Sequence, residues 1–109
     1  MKLNGFNTQI INWENFKPAE TPGVRRKNTA KETNSGGYYI RIAEYSSNYE
    51  TAEWCDKGHI IHCIEGELTL HFKSGKTLLL SGGNSIVIAD GDTHKAETGK
   101  RAARLFIID

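Results

Sequence analysis

Hydrophobic and polar positions alternate with a period of two nearly everywhere that a period can be read in this chain. In residues 67–72, Leu68, Leu70 and Phe72 share one face and polar residues separate them. A period of two is typical of β-strands that bury one face. This pattern, with aromatic and β-branched residues, predicts strands at 38–45, 59–64, 67–72, 77–80, 85–88 and 103–108.

Glycines and prolines mark the ends of these elements. Residues 73–76 predict a hairpin turn, because Gly75 can adopt the positive φ that such turns require. Near the N-terminus, residues 11–16 predict one helical turn with Asn12 as its cap, ended by Pro18. Residues 18–35 are polar and predict a long loop or a loosely held edge strand.

Short strands at this spacing predict an all-β sandwich or barrel. A length of 109 residues has room for one domain, 1–109. Within it, residues 1–35 are expected to form an N-terminal strand and loop segment that packs on a barrel of residues 36–109.

Charge and composition exclude several function classes. Fourteen Lys and Arg against thirteen Asp and Glu give a net charge of +1, which argues against capture of nucleic acid or of an anionic membrane. The sequence has no signal-peptide pattern and no apolar stretch long enough for a membrane span, so a cytoplasmic location with two reduced cysteines is expected. All four histidines and both cysteines fall between Cys55 and His94.

The stretch Gly83-x5-Ala89-x-Gly91-x2-His94 resembles the second conserved motif of the cupin superfamily, with every interval matched. Ala89 stands in place of the motif's proline, and Thr98 in place of its asparagine. The resemblance implies a single-domain cupin, a small double-sheet β-barrel of jelly-roll type. A tight turn before His94 would let this histidine begin a strand and point into the barrel.

The first cupin motif is matched by spacing from Gly66, which places its glutamate position at His59 and its histidine pair at Glu53 and Cys55. The chain resembles a small group of single-domain cupins named for an Asp, His, Cys and Trp cluster in this motif. Trp54 and Cys55 match that cluster, whereas Ala52 and Glu53 replace its Asp and His. The group's biochemical function is not settled, so the resemblance implies a fold and a site without a substrate.

A metal site is predicted from Glu53, Cys55, His59 and His94, with a three-ligand site of Cys55, His59 and His94 as an alternative. Residues 53 and 55 are two apart and would face one side of a strand. A thiolate with imidazoles favours Zn²⁺, followed by Ni²⁺, Fe²⁺ or Cu²⁺, over Mg²⁺ or Ca²⁺. If Glu53 is not a ligand, it is the candidate general base. The competing interpretation is a buried thiol, a surface carboxylate and hydrogen-bonded histidines without metal.

The remaining candidates have plainer interpretations. Alternation places His71 on a solvated face. If His59 points inward, His62 shares the outer face of its strand with Ile60 and Ile64, which suggests that another strand or subunit covers that face. Cys63 is expected to pack in the core, with a position lining the pocket as the alternative. The candidates for orienting a ligand in the pocket are Arg41, Tyr45 and Tyr49.

Three functions follow from this interpretation. The leading one is a metal-binding cupin, expected to be a homodimer, whose ion acts on a small organic molecule held in the barrel mouth. The second is a non-catalytic cupin that senses or binds a metabolite or the metal itself. The third is a metal-free structural barrel that serves for dimerisation. The sequence leaves open whether the protein is an enzyme, and neither nucleic acid nor a membrane is an expected partner.

Overall fold

The structure is a computed structural model that describes residues 2–109, and strands dominate it. Its one short 3₁₀ helix covers Trp13–Asn15, and the Asn12 side chain caps it by accepting a hydrogen bond from Glu14 N. No helix in the described range is long and apolar enough to cross a membrane. The strands are β1 (Ala19–Pro22), β2 (Lys27–Ser35), β3 (Tyr38–Tyr45), β4 (His59–Glu65), β5 (Glu67–Phe72), β6 (Thr77–Ser81), β7 (Ser85–Ile88), β8 (His94–Glu97) and β9 (Ala103–Ile108).

These strands form two antiparallel sheets. The larger has six strands in the order β1-β2-β3-β9-β4-β7, and the smaller has three in the order β6-β5-β8. The inward residues of both sheets contribute to one core cluster, as expected where two half-apolar sheets must bury a face. The all-β, double-sheet prediction is therefore confirmed.

Strict alternation is what builds the core. Leu68, Leu70 and Phe72 of β5 are all buried, as the pattern predicted. In β9 the inward residues Ala103, Leu105 and Ile107 are almost completely inaccessible to solvent. Because β9 pairs with β3 on one side and β4 on the other, it forms the centre of the larger sheet.

The polar segment 18–35, predicted as a long loop or a loosely held edge strand, forms two strands. Instead of a long loop, β1 and β2 form an antiparallel hairpin, and β2 pairs with β3 over eight residue pairs from Asn28↔Tyr45 to Ser35↔Tyr38. Of these two strands, only β1 lies at an edge of the sheet. An interior strand was not predicted here because β2 buries no continuous apolar face; the backbone groups of β3 provide the pairing that the side chains of β2 do not indicate.

The outer face of β4 is partly covered by the chain's own N-terminal segment. Leu3, Phe6 and Ile11 line a cleft of about 410 Å³ together with Ile60 and Ile108. Farther along the sheet the apolar surface stays open, and Val87 on the edge strand β7 is 77% exposed. The expected cover is thus supplied in part by this chain, and a covering subunit stays a prediction.

Replacement of Gly66 by alanine should destabilise the fold more than the same change at Gly83. Both glycines have a positive φ, of 86° and 93°. An added Cβ at Gly66 would lie 2.2 Å from the Ala102 carbonyl oxygen, whereas at Gly83 it would meet nothing within 4 Å. Chemical denaturation should give losses of about 2–3 kcal/mol for Gly66→Ala and about 1 kcal/mol for Gly83→Ala. Equal losses would show that the Ala102 contact does not matter.

If a second copy covers the open end of the outer face, the wild-type protein should sediment as a dimer at micromolar concentration. Val87→Lys should then give a monomer, because the ammonium cannot be buried without a partner. Leu79→Lys is the matched control, since Leu79 is also well exposed but lies on the smaller sheet. A wild-type monomer, or a Val87→Lys dimer, would contradict the dimer prediction.

Candidate metal centre

The structure brings Cys55, His59 and His94 together at one end of the barrel. Their candidate ligand atoms all lie within 4.8 Å of one another. Cys55 Sγ and His59 Nε2 are 3.3 Å apart. The His59 side chain is 9% exposed and His94 is 5% exposed, so the two imidazoles are shielded from bulk water while Cys55 is only partly buried.

Each of the three residues comes from a different element. His59 begins β4 in the larger sheet and His94 begins β8 in the smaller one. Cys55 lies before β4 and is tied to His94 by two backbone hydrogen bonds, Cys55 N to His94 O at 2.8 Å and His94 N to Cys55 O at 2.9 Å. The cluster therefore lies where the two sheets meet.

Hydrogen bonds from the turn before His94 stabilise this arrangement. Gly91 has φ of 81°, and its N–H donates to the Asp56 carbonyl oxygen at 2.8 Å. Asp90 Oδ1 accepts a hydrogen bond from Gly58 N at 2.8 Å. These two bonds hold the segment that carries Cys55 against the turn that precedes His94. The turn forms although Ala89 replaces the proline of the motif.

Both imidazoles present Nε2 to the cluster, because Nδ1 of each has a partner elsewhere. His94 Nδ1 lies 2.8 Å from the Asp92 carbonyl oxygen, so it is the donor nitrogen. His59 Nδ1 lies 3.0 Å from Asp109 Oδ2, within ion-pair distance but outside hydrogen-bond geometry, and the nearby carboxylate favours the proton on that nitrogen. Metal-binding histidines usually donate their second nitrogen to a carboxylate or a backbone carbonyl in this way.

The protonation of His59 also suits a metal ligand. Burial lowers its pKa below the ordinary value, helped by His94 and Arg41, while Asp109 opposes the shift. The neutral imidazole, which is the form that binds metals, is thus favoured at neutral pH. A tetrahedral ion with one sulfur and one nitrogen ligand separates the two atoms by about 3.5 Å, close to the spacing of Cys55 and His59. The three residues fit a divalent transition metal.

Glu53 is not brought into this group. The cluster of ligand atoms contains Cys55 but not Glu53, which is exposed. Residues 51–58 form no strand, only an isolated bridge at Cys55, so the expectation that 53 and 55 face one side of a strand was wrong. Glu53 does line the same cavity, of about 540 Å³, as the three cluster residues. Its role as a ligand or base stays a prediction.

The four pocket candidates divide into two pairs. Arg41 and Tyr45 line the cavity beside the cluster. Tyr49 is buried away from it, where its hydroxyl accepts a hydrogen bond from Asn28 Nδ2 at 2.8 Å. Cys63 is fully buried in the core, and burial, together with Glu67, raises the pKa of its thiol. The core position expected for Cys63 is the one observed.

The other two histidines lie outside the cluster. His71 is on the outer face of β5, where Nε2 lies 3.1 Å from Glu97 Oε1. That contact lowers the pKa of Glu97. His62 is paired with the Ser85 hydroxyl at 2.8 Å on the outer side of β4. Both positions agree with the strand facing that alternation predicted.

Sequence reasoning missed Asp109, although a signal was present. Its Oδ2 lies 3.0 Å from His59 Nδ1 and 2.9 Å from Arg41 Nη2, so it joins the cluster to the cavity wall. Positions 103, 105 and 107 face inward, and the same period places residue 109 inward as well. A carboxylate at an inward position requires a partner, which could have marked Asp109 as a site residue.

Comparison with curated protein sequences finds a distant relative of this chain. No protein-family model matches the chain. Among curated proteins it is similar to YdbB of Bacillus subtilis (strain 168), an uncharacterised protein, at 26% identity over 68 residues, or 62% of this chain. The match spans about 60% of the length of that relative.

Solved structures establish the fold. A predicted oxalate decarboxylase from Thermotoga maritima is similar with a TM-score of 0.77 at 12% identity, covering 92% of this chain and 96% of that one. The iron(II) form of HppE gives 0.76 at 13% identity, covering 93% and 59%. A cupin-2 domain protein from Shewanella frigidimarina gives 0.56 at 23% identity, covering 66% and 69%. The chain has the cupin fold; membership of the Asp/His/Cys/Trp group stays a prediction.

Replacement of Cys55 by serine should weaken binding of Zn²⁺ or Co²⁺ by more than about tenfold, because it removes the thiolate that both ions favour. His71→Gln is the matched control, since it removes an imidazole that lies on the outer face. Metal titration followed by competition with a chromophoric chelator gives both affinities. Undiminished binding by Cys55→Ser would contradict the ligand assignment, and a loss in His71→Gln would mean that the site is elsewhere.

Proposed function

We propose that this protein is a metal-binding cupin that binds a small organic molecule in the barrel cavity, with Cys55, His59 and His94 as the metal ligands. The observation that carries the proposal is the orientation of both imidazoles. Each has Nδ1 within 3.0 Å of an oxygen, by a hydrogen bond in His94 and by ion-pair distance alone in His59, which leaves Nε2 for the cluster. A metal-free barrel would not require that both histidines present the same nitrogen to one thiol.

Zn²⁺ is the ion that this donor set favours most. One thiolate and two imidazoles match the borderline softness of zinc, and Fe²⁺, Ni²⁺ or Cu²⁺ would also be accepted by such ligands. The similarity to the iron(II) form of HppE supports a transition metal in this fold without selecting which one.

Three protein ligands beside a cavity are the arrangement of catalytic sites rather than of structural ones, which close their coordination with a fourth residue. A bound divalent ion would supply Lewis-acid chemistry to a ligand in the cavity. Glu53 on the cavity lining is the candidate general base for such chemistry. The alternative of a non-catalytic binding or sensing protein uses the same site without a turnover step.

Protein purified without an affinity tag should contain close to one equivalent of a transition metal by elemental analysis. Removal of that metal by a chelator should lower the melting temperature, because a ligand that binds only the folded state stabilises it. Readdition of Zn²⁺ should restore the original value. Metal-free protein whose melting temperature does not respond to Zn²⁺ would contradict the proposal and support the structural barrel.

Spectroscopy of the Co²⁺-substituted protein separates the catalytic and closed forms of the site. A fourth ligand position open to water should allow azide or cyanide to shift the visible absorption bands of cobalt. Absence of any shift would indicate that a fourth protein ligand closes the site, and Glu53→Gln would identify whether Glu53 is that ligand.

A further inference from the structure

We propose that Arg41 and Tyr45 bind the carboxylate end of a small organic monocarboxylic acid in the cavity beside the metal centre. This inference rests on the proposed function, because it names the class of molecule that the cavity takes. Both residues belong to β3, point inward and line the cavity.

The hydrogen bonds of Arg41 leave part of its guanidinium available. Nη2 lies 2.9 Å from Asp109 Oδ2, and Nε is buried without a hydrogen-bond partner. Nη1 is not one of the buried polar atoms that lack a partner, and the Arg41 side chain, which lines the cavity, is 27% exposed. A guanidinium in this state can donate through Nη1 to an anionic oxygen.

Asp109 fixes where that donor lies. The same Oδ2 that accepts from Arg41 is 3.0 Å from His59 Nδ1. The guanidinium is therefore held next to an imidazole of the metal cluster rather than at a distant part of the wall. A ligand bound to Arg41 would have its neighbouring atoms close to the ion.

Tyr45 adds a neutral donor on the same wall. It lies four residues from Arg41 on the same face of β3, with the small side chain of Ala43 between them. Its hydroxyl is not one of the buried polar atoms that lack a hydrogen-bond partner. Burial raises the pKa of Tyr45 to about 12, against the lowering effect of Arg41, and the charges of Cys55 and Asp109 add to the rise. The hydroxyl stays protonated and can donate.

Charge balance selects a monoanion. A divalent ion with the Cys55 thiolate, together with Arg41 and the Asp109 carboxylate, leaves a single positive charge in the pocket, and the other charged lining residues, Glu53, Asp56, Lys57 and Lys95, cancel one another. One ligand carboxylate neutralises it. A dianion such as phosphate would leave an excess negative charge, and Glu32, 3.7 Å from Arg41 Nε, would oppose it further.

One part of the wall is suited to an apolar body, although polar and charged side chains line the remainder. Ile61, Leu68, Leu70 and Ile107 also line the cavity. These side chains offer no hydrogen bonds, so the part of a ligand that lies against them must be apolar to avoid an uncompensated loss of solvation. The best match is a carboxylate attached to a short aliphatic or aromatic group.

Benzoate tests this inference, with benzamide as the uncharged analogue of the same shape and inorganic phosphate as the dianionic probe. Titrations are followed by two-dimensional amide NMR on both the metal-free and the Zn²⁺-loaded protein. Benzoate should bind with shifts near β3, and benzamide and phosphate should bind at least about tenfold more weakly. Arg41→Gln should weaken benzoate binding by about tenfold or more, and Tyr45→Phe by a smaller factor.

Arg104→Gln is the control, because it removes the same charge from the exposed outer side of β9. It should leave benzoate binding unchanged. The inference is wrong if Arg41→Gln binds benzoate as tightly as the wild type, or if phosphate or benzamide competes equally. Zinc content is measured for every variant, so a protein that binds benzoate through Arg41 but takes no metal would contradict the proposed function alone.

Discussion

The pairing of β9 with both β3 and β4 is the constraint on which the site depends. Ile107 is in register with Arg41 on one side and with Ile61 on the other. The strand cannot slip by one residue, because Leu105 and Ile107 would then leave the core for the solvent face. Its register fixes Asp109 at the end of the strand, between Arg41 of β3 and His59 of β4. One buried strand thus sets the spacing of a ligand-binding residue and a metal-binding residue.

A second constraint joins the two sheets. Phe72 of β5 pairs with His94 of β8, and His94 pairs in turn with Cys55. Farther along, Thr98 replaces the asparagine of the second motif, donating its hydroxyl to Ser46 O and accepting from Tyr49 N at 2.9 Å. The Thr98 contact with Tyr49 is buried and the one with Ser46 is partly buried, so their loss would leave polar groups without partners. His94 of the smaller sheet is therefore held near His59 by hydrogen bonds between β8 and the loops beside it, in addition to side-chain packing.

The sequence predicted the strands whose side chains alternate between apolar and polar. It did not predict strands that form through backbone pairing alone. A buried face is predicted by the alternation of Leu68, Leu70 and Phe72. The spacing from Gly83 to His94 predicts a turn followed by an inward histidine. By contrast, β2 is a strand because β3 offers unpaired backbone groups, which no local pattern of its own residues reports. Glu53 was grouped with Cys55 by strand geometry, and residues 51–58 are not a strand. The period of two marks Asp109 as inward, but its pairing with His59 depends on β9 lying beside β4, and the sequence does not give this strand order.

The two cysteines lie in different parts of the barrel, Cys63 in the apolar core and Cys55 at the open end. Cys63 is enclosed by the core, where burial raises the pKa of its thiol and keeps it unreactive. Cys55 lies at the open end, next to two imidazoles and a cavity. Packing closes one end with apolar side chains, and that enclosed end supplies stability. Because stability comes from there, the other end can keep charged and polar groups, such as Arg41, Asp109 and the histidines, close together without destroying the fold. A ligand that satisfied those groups would stabilise the end of the barrel that packing leaves incomplete.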